Sequence, residues 1–175
     1  NSAGDLNVDV SGFTFDSRQV KPGYLFLAMK GEVADGHKFI PAAIEAGAIA
    51  VMSELEKPRG FKQVWIRVEN AREAMARLAG NWYRHPDRQL TLVGITGTNG
   101  KTSSAAVIKE ILEHSSGKTG SLGTISYTTA SGKEKASLTT PEAPETLRLI
   151  REMVDSGCKA AVMEASSAAI HRQRV

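Results

Sequence analysis

Short apolar runs alternate along the chain with segments whose apolar residues recur every three or four positions, the pattern of an α/β protein. Residues 25–29 (Leu, Phe, Leu, Ala, Met) form an unbroken apolar run behind the turn at Lys21, Pro22 and Gly23, and predict a buried strand. Over residues 37–47, Phe39, Ile40, Ala43, Ile44 and Ala46 share one side of a predicted helix that Gly47 stops. Residues 48–52 and 64–68 predict two further strands. Asn70 followed by Glu73 has the spacing of a helix start, and Ala71, Met75, Leu78, Ala79 and Trp82 lay an apolar stripe along the helix that follows. Pro86 breaks this pattern, because it cannot continue a helix and disfavours helical backbone at His85. A domain boundary is expected there, giving 1–86 and 87–175.

The second part opens with a β-rich run at 90–96 that ends in a glycine-rich turn. A helix over about 102–114 is expected to bury Ala105, Ile108, Ile111 and Leu112. Extended stretches near 122–128 precede a polar turn at Ser131, Gly132 and Lys133. Pro144 suits the first turn of another helix, which runs to Ser156 with Gly157 as its stop, and residues 160–164 predict the next strand. Strand, helix and strand in this order imply parallel pairing through right-handed crossovers. So few parallel strands leave a face and an edge uncovered, so the chain is expected to be part of a longer one.

Composition narrows the possibilities. Apolar residues make up 41% and charged residues 23% of the 175, which excludes a disordered tail or a fibrous repeat. No apolar run reaches the roughly 18–20 residues of a membrane span, and the first residues lack the pattern of a secretory signal. The single cysteine, Cys158, allows neither an internal disulfide nor a thiolate metal cage, so a cytoplasmic setting is expected. With 22 basic against 19 acidic residues and 6% aromatics, the chain lacks the signature of a nucleic-acid surface. An anionic ligand, if bound, should be small and held at particular loops.

Gly97, Thr98, Asn99, Gly100, Lys101 and Thr102 stand between a predicted strand and a predicted helix, the setting of a phosphate-binding loop. Glycines let backbone amides turn towards phosphate oxygens, a lysine reaches the β- and γ-phosphates, and a hydroxyl on Thr102 can hold Mg²⁺. The strict pattern needs a glycine where Ile95 stands, and a glycine-rich turn with an incidental lysine is the plainer reading. Glu164 ends the strand at 160–164, where parallel sheets present ligands, and is either a Mg²⁺ ligand or a surface glutamate. Thr139, Thr140, Ser166, Ser167 and Arg174 suit pyrophosphate recognition, although serine and threonine in loops are commonly turn formers. His37, His85, His114 and His171 show no metal-ligand spacing.

Several motifs, taken in order, resemble one family. The stretch Gly94-Ile-Thr-Gly-Thr-Asn-Gly-Lys-Thr102 is similar to the phosphate loop of the Mur ligases. The resemblance extends through Asp16-Ser17-Arg18, Val20-Lys-Pro-Gly-Tyr-Leu-Phe26, Ala34-Asp-Gly-His-Lys-Phe-Ile40, Leu138-Thr-Thr-Pro-Glu142, Met163-Glu-Ala-Ser-Ser167 and Arg174-Val175. The first-half motifs are most similar to the member that adds meso-diaminopimelate or L-lysine to UDP-N-acetylmuramoyl-L-alanyl-D-glutamate, using ATP and Mg²⁺ and passing through an acyl phosphate. The resemblance implies a small α/β UDP-binding domain over 1–86 and an incomplete ATP-binding, parallel-sheet central domain over 87–175. A C-terminal domain would lie beyond, with a further histidine and a carbamylated lysine.

By position, the resemblance assigns uridine contacts to Ser17, Gly31, Glu32, Val33 and Ala34, and pyrophosphate and sugar contacts to Thr139, Thr140, Ser166 and Arg174. It assigns ATP to the 97–102 loop, catalysis to Lys101 and Glu164, and Mg²⁺ to Thr102 and Glu164. It implies a cytoplasmic, monomeric enzyme of small-molecule substrates, without nucleic acid or membrane, inactive in ligation over this length alone. Where the family usually reads E-V-S-S-H, Ala165 and Ala168 replace the valine and the histidine. A sister ligase of the peptide or of folate, a P-loop kinase or NTPase, and a UDP-sugar-binding module without catalysis are the other readings.

Overall fold

The computed structural model describes residues 8–31, 34–129 and 132–175, together with the backbone of 2–3; Glu32, Val33 and Ser131 lie outside the described residues. The chain divides into two units, Asn1–Ala74 and Met75–Val175. The division falls inside the helix that Asn70 starts, ahead of the sequence break at Pro86.

The first unit holds β1 (Ser2–Ala3), β2 (Gly12–Thr14), β3 (Tyr24–Ala28), β4 (Ala50–Ser53) and β5 (Val64–Arg67), in the order β1-β5-β4-β3-β2. All neighbours pair in parallel except β1 with β5. Leu25, Phe26, Leu27 and Ala28 are all buried, as a continuous apolar run in a parallel strand requires. Phe26, Ala28, Ala43, Ala48, Val51 and Trp65 form the core. Trp65 stacks edge-on against Phe61 with ring centroids 5.1 Å apart, and its indole N–H donates to the Leu55 carbonyl at 3.0 Å, so its polar edge is satisfied.

The helix expected over 37–47 begins as a 3-10 turn, Gly36–Phe39, and α1 covers only Ile40–Glu45. The tighter turn changes the phase of the side chains. Ala43 is therefore buried, whereas Phe39 and Ala46 face solvent, contrary to the expected stripe.

Helix α2 (Ala71–Trp82) starts as its sequence indicates. Asn70 Oδ1 accepts the amides of Arg72 and Glu73 at 3.0 and 3.1 Å, and Glu54 Oε1 takes that of Ala71 at 2.8 Å. Ala71, Met75 and Ala79 are buried, but Trp82 is 42% exposed, because the helix ends there and the chain turns away. Arg84 and His85 both adopt left-handed backbone, with φ of 58° and 47°, and Pro86 opens a short 3-10 helix.

The second unit contains β6 (Thr91–Ile95), α3 (Lys101–Ser116), β7 (Thr119–Leu122), β8 (Ser126–Thr129), β9 (Gly132–Lys135), α4 (Ala143–Asp155), β10 (Ala160–Glu164) and α5 (Ser167–His171). The sheet order is β6-β10-β7-β8-β9, with β10 parallel to both β6 and β7 and the last two strands antiparallel. Strand β6 is thus an edge among the described residues. Residues 91, 93 and 95 direct their backbone towards β10, while Leu92 and Gly94 turn theirs outward.

Two expectations differ from this sheet. The extended stretch begins earlier, at Thr119, and an antiparallel hairpin absorbs Gly132 and Lys133, for which the sequence predicts a turn. Thr119, Gly120 and Ser121 carry no apolar pattern; Gly120 is small because a Cβ there would collide with Met153. On α3, Ala105 is buried and Ile108 and Leu112 are half-buried, but Ile111 is 59% exposed. The first three keep the i, i+3, i+7 spacing of one narrow stripe, and Ile111 falls beside it. No helix among the described residues is long and apolar enough to cross a membrane.

Tyr127 on β8 fixes the segment that leads to Thr139. Its buried hydroxyl donates to the Leu138 carbonyl at 2.6 Å and accepts the Leu138 amide at 3.1 Å. Tyr127→Phe leaves both groups unpaired and is expected to cost about 1–2 kcal/mol in urea unfolding. An unchanged midpoint would show that the phenol does not hold this segment.

Candidate active site

Strand β6 delivers the chain into the 97–102 loop, and α3 opens directly from it. Gly100 precedes the helix with φ 79°, a left-handed conformation that favours glycine, and no side chain caps the helix. The first intrahelical bond runs from Ser104 N to Gly100 O at 2.9 Å, so the amides of the first turn are open to an anion. Lys101 Nζ reaches back across the loop and donates to Gly97 O at 2.8 Å. Its ammonium therefore sits over the ring of backbone that the sequence assigns to phosphate.

Glu164 ends β10, beside β6, and is only 2% exposed, so the surface-glutamate alternative does not hold. Its Oε2 accepts the Thr102 hydroxyl at 3.0 Å and lies 3.0 Å from the hydroxyl of Thr124. Its Oε1 accepts the Thr124 amide at 3.1 Å. A buried carboxylate is stable when its oxygens are satisfied in this way. Thr124 carries no motif of its own; its signal is the Gly123-Thr124 pair just past a strand end, once β7 is recognised.

The donor set at this point is all oxygen: one carboxylate and threonine hydroxyls. Among the described residues no group of three or more His, Cys, Asp or Glu side chains could hold a metal. These residues fit a Mg²⁺ ion that arrives with a nucleotide and keeps waters and phosphate oxygens as its other ligands.

The segment around Thr140 packs beneath Glu164. The buried Thr140 hydroxyl donates to Glu164 O at 2.8 Å and accepts the Ser166 amide at 3.1 Å, so it is committed to the protein. Thr139 Oγ1 lies 3.2 Å from Thr124 Oγ1. Ser166 caps α5 by accepting the Ala169 amide at 3.1 Å, and Ala168, where the family usually has histidine, is exposed. Arg174 pairs with Glu142 at 2.9 Å, and its guanidinium also reaches Thr140 O at 3.4 Å, while its buried Nε has no partner. The structure thus gathers the 97–102 loop, Thr139, Thr140, Glu164, Ser166 and Arg174 at the carboxyl ends of one parallel set of strands.

Ser17, Gly31 and Ala34 belong to the first unit, and they too follow the carboxyl ends of parallel strands, β2 and β3. Asp16 caps the short helix of Ser17 by accepting the Arg18 amide at 3.0 Å and binds the Arg18 guanidinium through both oxygens, at 2.9 and 2.7 Å. Those bonds, the side-chain one first, hold its carboxyl below the usual value of 3.8. Ser17 is half-buried. Gly31 N donates to Ala34 O at 2.9 Å; Glu32 and Val33 are outside the described residues.

A family profile described as "Mur ligase family, catalytic domain" matches residues 9–83, and one described as "Mur ligase middle domain" matches residues 95–175. The chain belongs to the Mur ligase family. This Mur ligase chain is 46% identical over 172 residues to the UDP-N-acetylmuramoyl-L-alanyl-D-glutamate--2,6-diaminopimelate ligase of Geobacter sulfurreducens, covering 98% of this chain and 34% of that one. It is 42% identical over 175 residues to the ligase of the same name from Clostridium tetani, covering 98% and 36%. The chain spans about a third of the length of these relatives.

Among solved structures, a UDP-N-acetylmuramoyl-L-alanyl-D-glutamate--2,6-diaminopimelate ligase matches with a TM-score of 0.75 and 27% identity, over 94% of this chain and 34% of that one. The MurF ligase of Thermotoga maritima in complex with ADP matches with a TM-score of 0.57 and 26% identity, over 89% and 32%. The α/β architecture with parallel sheets is that of the Mur ligases.

Proposed function

We propose that this chain supplies the UDP-binding region and the first part of the ATP-binding region of a ligase. That ligase joins 2,6-diaminopimelate, or L-lysine, to UDP-N-acetylmuramoyl-L-alanyl-D-glutamate in peptidoglycan precursor synthesis. The boundary is placed near residue 86, and the enzyme acts as a cytoplasmic monomer on small molecules, with no nucleic-acid or membrane partner. The observation that carries the reading is the bond between Thr102, at the end of the phosphate loop, and buried Glu164 on the neighbouring strand. It joins a site for phosphates to a site for a cation in one crevice.

The chemistry follows from the charges. A free carboxylate does not accept an amine at neutral pH, because oxide is a poor leaving group. Transfer of the γ-phosphoryl group of ATP to the carboxylate makes an acyl phosphate and releases ADP; attack by the amine then forms the amide and expels phosphate. The first step brings one anion against another. Lys101 and the open amides of α3 offset that repulsion at the phosphoryl oxygens. Thr102 and Glu164 would hold Mg²⁺, which supplies charge neutralisation at the phosphates when bound. Ser17 and residues 31–34 bind uridine, and Thr139, Ser166 and Arg174 take the pyrophosphate and sugar, with Thr140 bracing Ser166.

Calorimetric titration of the folded chain with UDP-N-acetylmuramoyl-L-alanyl-D-glutamate tests the reading. Saturable binding is expected, weakened about 5-fold in Ser17→Ala, the worth of one hydrogen bond. Equal binding by the variant would remove Ser17 from the site, and no binding by a folded sample would remove the UDP assignment from this chain.

A further inference from the structure

A cavity of about 410 Å³ lies in the second unit, between one face of α3 and the strands β7 to β9. Thr102 and Glu164, already joined by a hydrogen bond, both line it, so it is continuous with the crevice proposed for phosphates and cation. On the helix side, Thr102, Ala105, Ala106 and Lys109 keep the i, i+3, i+4, i+7 spacing of a single face.

The lining restricts what fits. Ala105, Ala106, Leu122 and Ile125 give it an aliphatic wall. Besides Glu164, the charged groups that line it are two cations, Lys109 and Lys133. Glu164 pairs with neither, because its oxygens are engaged by Thr102 and Thr124. Lys109 pairs with Glu113, four residues on along α3. Both ends of that pair reach solvent and the lysine comes first, the weaker order on a helix, so the ammonium is readily released to a ligand. A bare phosphate would leave the aliphatic wall unused, and an apolar molecule would leave the two ammonium groups without a partner. The complement is an aliphatic chain that ends in a carboxylate.

Of the two molecules joined in the proposed reaction, one has this chemistry. The amine partner, diaminopimelate or lysine, brings ammonium groups that the two lysines repel. The acid partner ends in a glutamyl residue with two carboxylates and no free amine. One carboxylate takes the phosphoryl group beside Lys101 and Thr102. The other is a further anion close to the phosphates and needs a counter-charge of its own.

We propose that this cavity receives the glutamyl end of the acid substrate, with Lys109 and Lys133 binding the carboxylate that does not react. The proposal rests on the ligase reading above. Two ligands isolate the effect: UDP-N-acetylmuramoyl-L-alanyl-D-glutamate and the same molecule without the glutamate, each titrated calorimetrically into the whole chain. The glutamyl ligand is expected to bind about 10-fold tighter, the scale of a charge-assisted hydrogen bond. Lys109→Ala and Lys133→Ala should each cut that ratio to about 3-fold or less, with the shorter ligand held within about 2-fold. Ala106→Phe, at an exposed position of α3, fills the cavity without changing its charge and should cut the ratio likewise. Melting curves establish that each variant is folded. If the wild-type chain binds neither ligand, the UDP assignment falls and the proposal with it. If it binds both equally, or the variants keep the ratio, the proposal alone is overturned. Binding of free 2,6-diaminopimelate that the lysine variants lose would give the cavity to the amine partner and overturn it as well.

Discussion

Lys101→Ala, introduced into the full-length ligase, is expected to slow activation of the acid substrate about 10²-fold or more, the scale of losing one preorganised transition-state donor. The structure gives the reason. Lys101 Nζ already spans the loop to Gly97 O at 2.8 Å, so little rearrangement separates the present geometry from one in which a phosphoryl oxygen takes the place of that carbonyl. The ammonium is most valuable when charge accumulates on the transferring group, so the loss should fall mainly on kcat. Single-turnover measurement of phosphoryl transfer, beside the KM for ATP, separates the two. Near-normal turnover would remove Lys101 from the reaction.

Gly123→Ala should be about as damaging, although it deletes no functional group. The added methyl would overlap the Glu164 carboxylate, which lies against the glycine. A flexible surface glutamate would swing aside at little cost. Glu164 is 2% exposed, with Thr102 and Thr124 engaging both of its oxygens, so moving it breaks several bonds in a closed space. A loss of about 10²-fold in Mg²⁺-dependent nucleotide affinity is expected, combining overpacking of about 1–3 kcal/mol with a displaced ligand. Calorimetric titration of nucleotide with and without Mg²⁺ reads it. Unaltered Mg²⁺ dependence would separate Glu164 from the metal.

Strand β10 was legible in the sequence because four consecutive apolar residues ending at an acid have few other solutions. So was α4, framed by Pro144 and Gly157. The phosphate loop was legible because its chemistry is local. What escaped depends on distant partners. Ile111 and Trp82 are apolar and correctly spaced, yet their burial is decided by where the helix stops and how narrow the facing surface is. Strand β9 (Gly-Lys-Glu-Lys) has no apolar residue at all and is a strand only because β8 lies beside it. Thr124 and Glu164 are 40 residues apart in sequence, as hydrogen-bonded partners in a parallel sheet often are. His37 and Ser53, whose side chains meet at 3.0 Å, are 16 apart, and nothing in either neighbourhood announces the other.

The outward-facing backbone of Leu92 and Gly94 on β6 has a practical consequence. A sheet edge of this kind is a template for any strand that offers complementary groups. In concentrated solution the readiest source of such a strand is another copy of the same chain. In concentrated samples of this chain self-association along β6 is therefore expected, and the amides of Leu92 and Gly94 should exchange with solvent faster than those of Val93 and Ile95 in dilute samples, with the contrast fading as concentration rises.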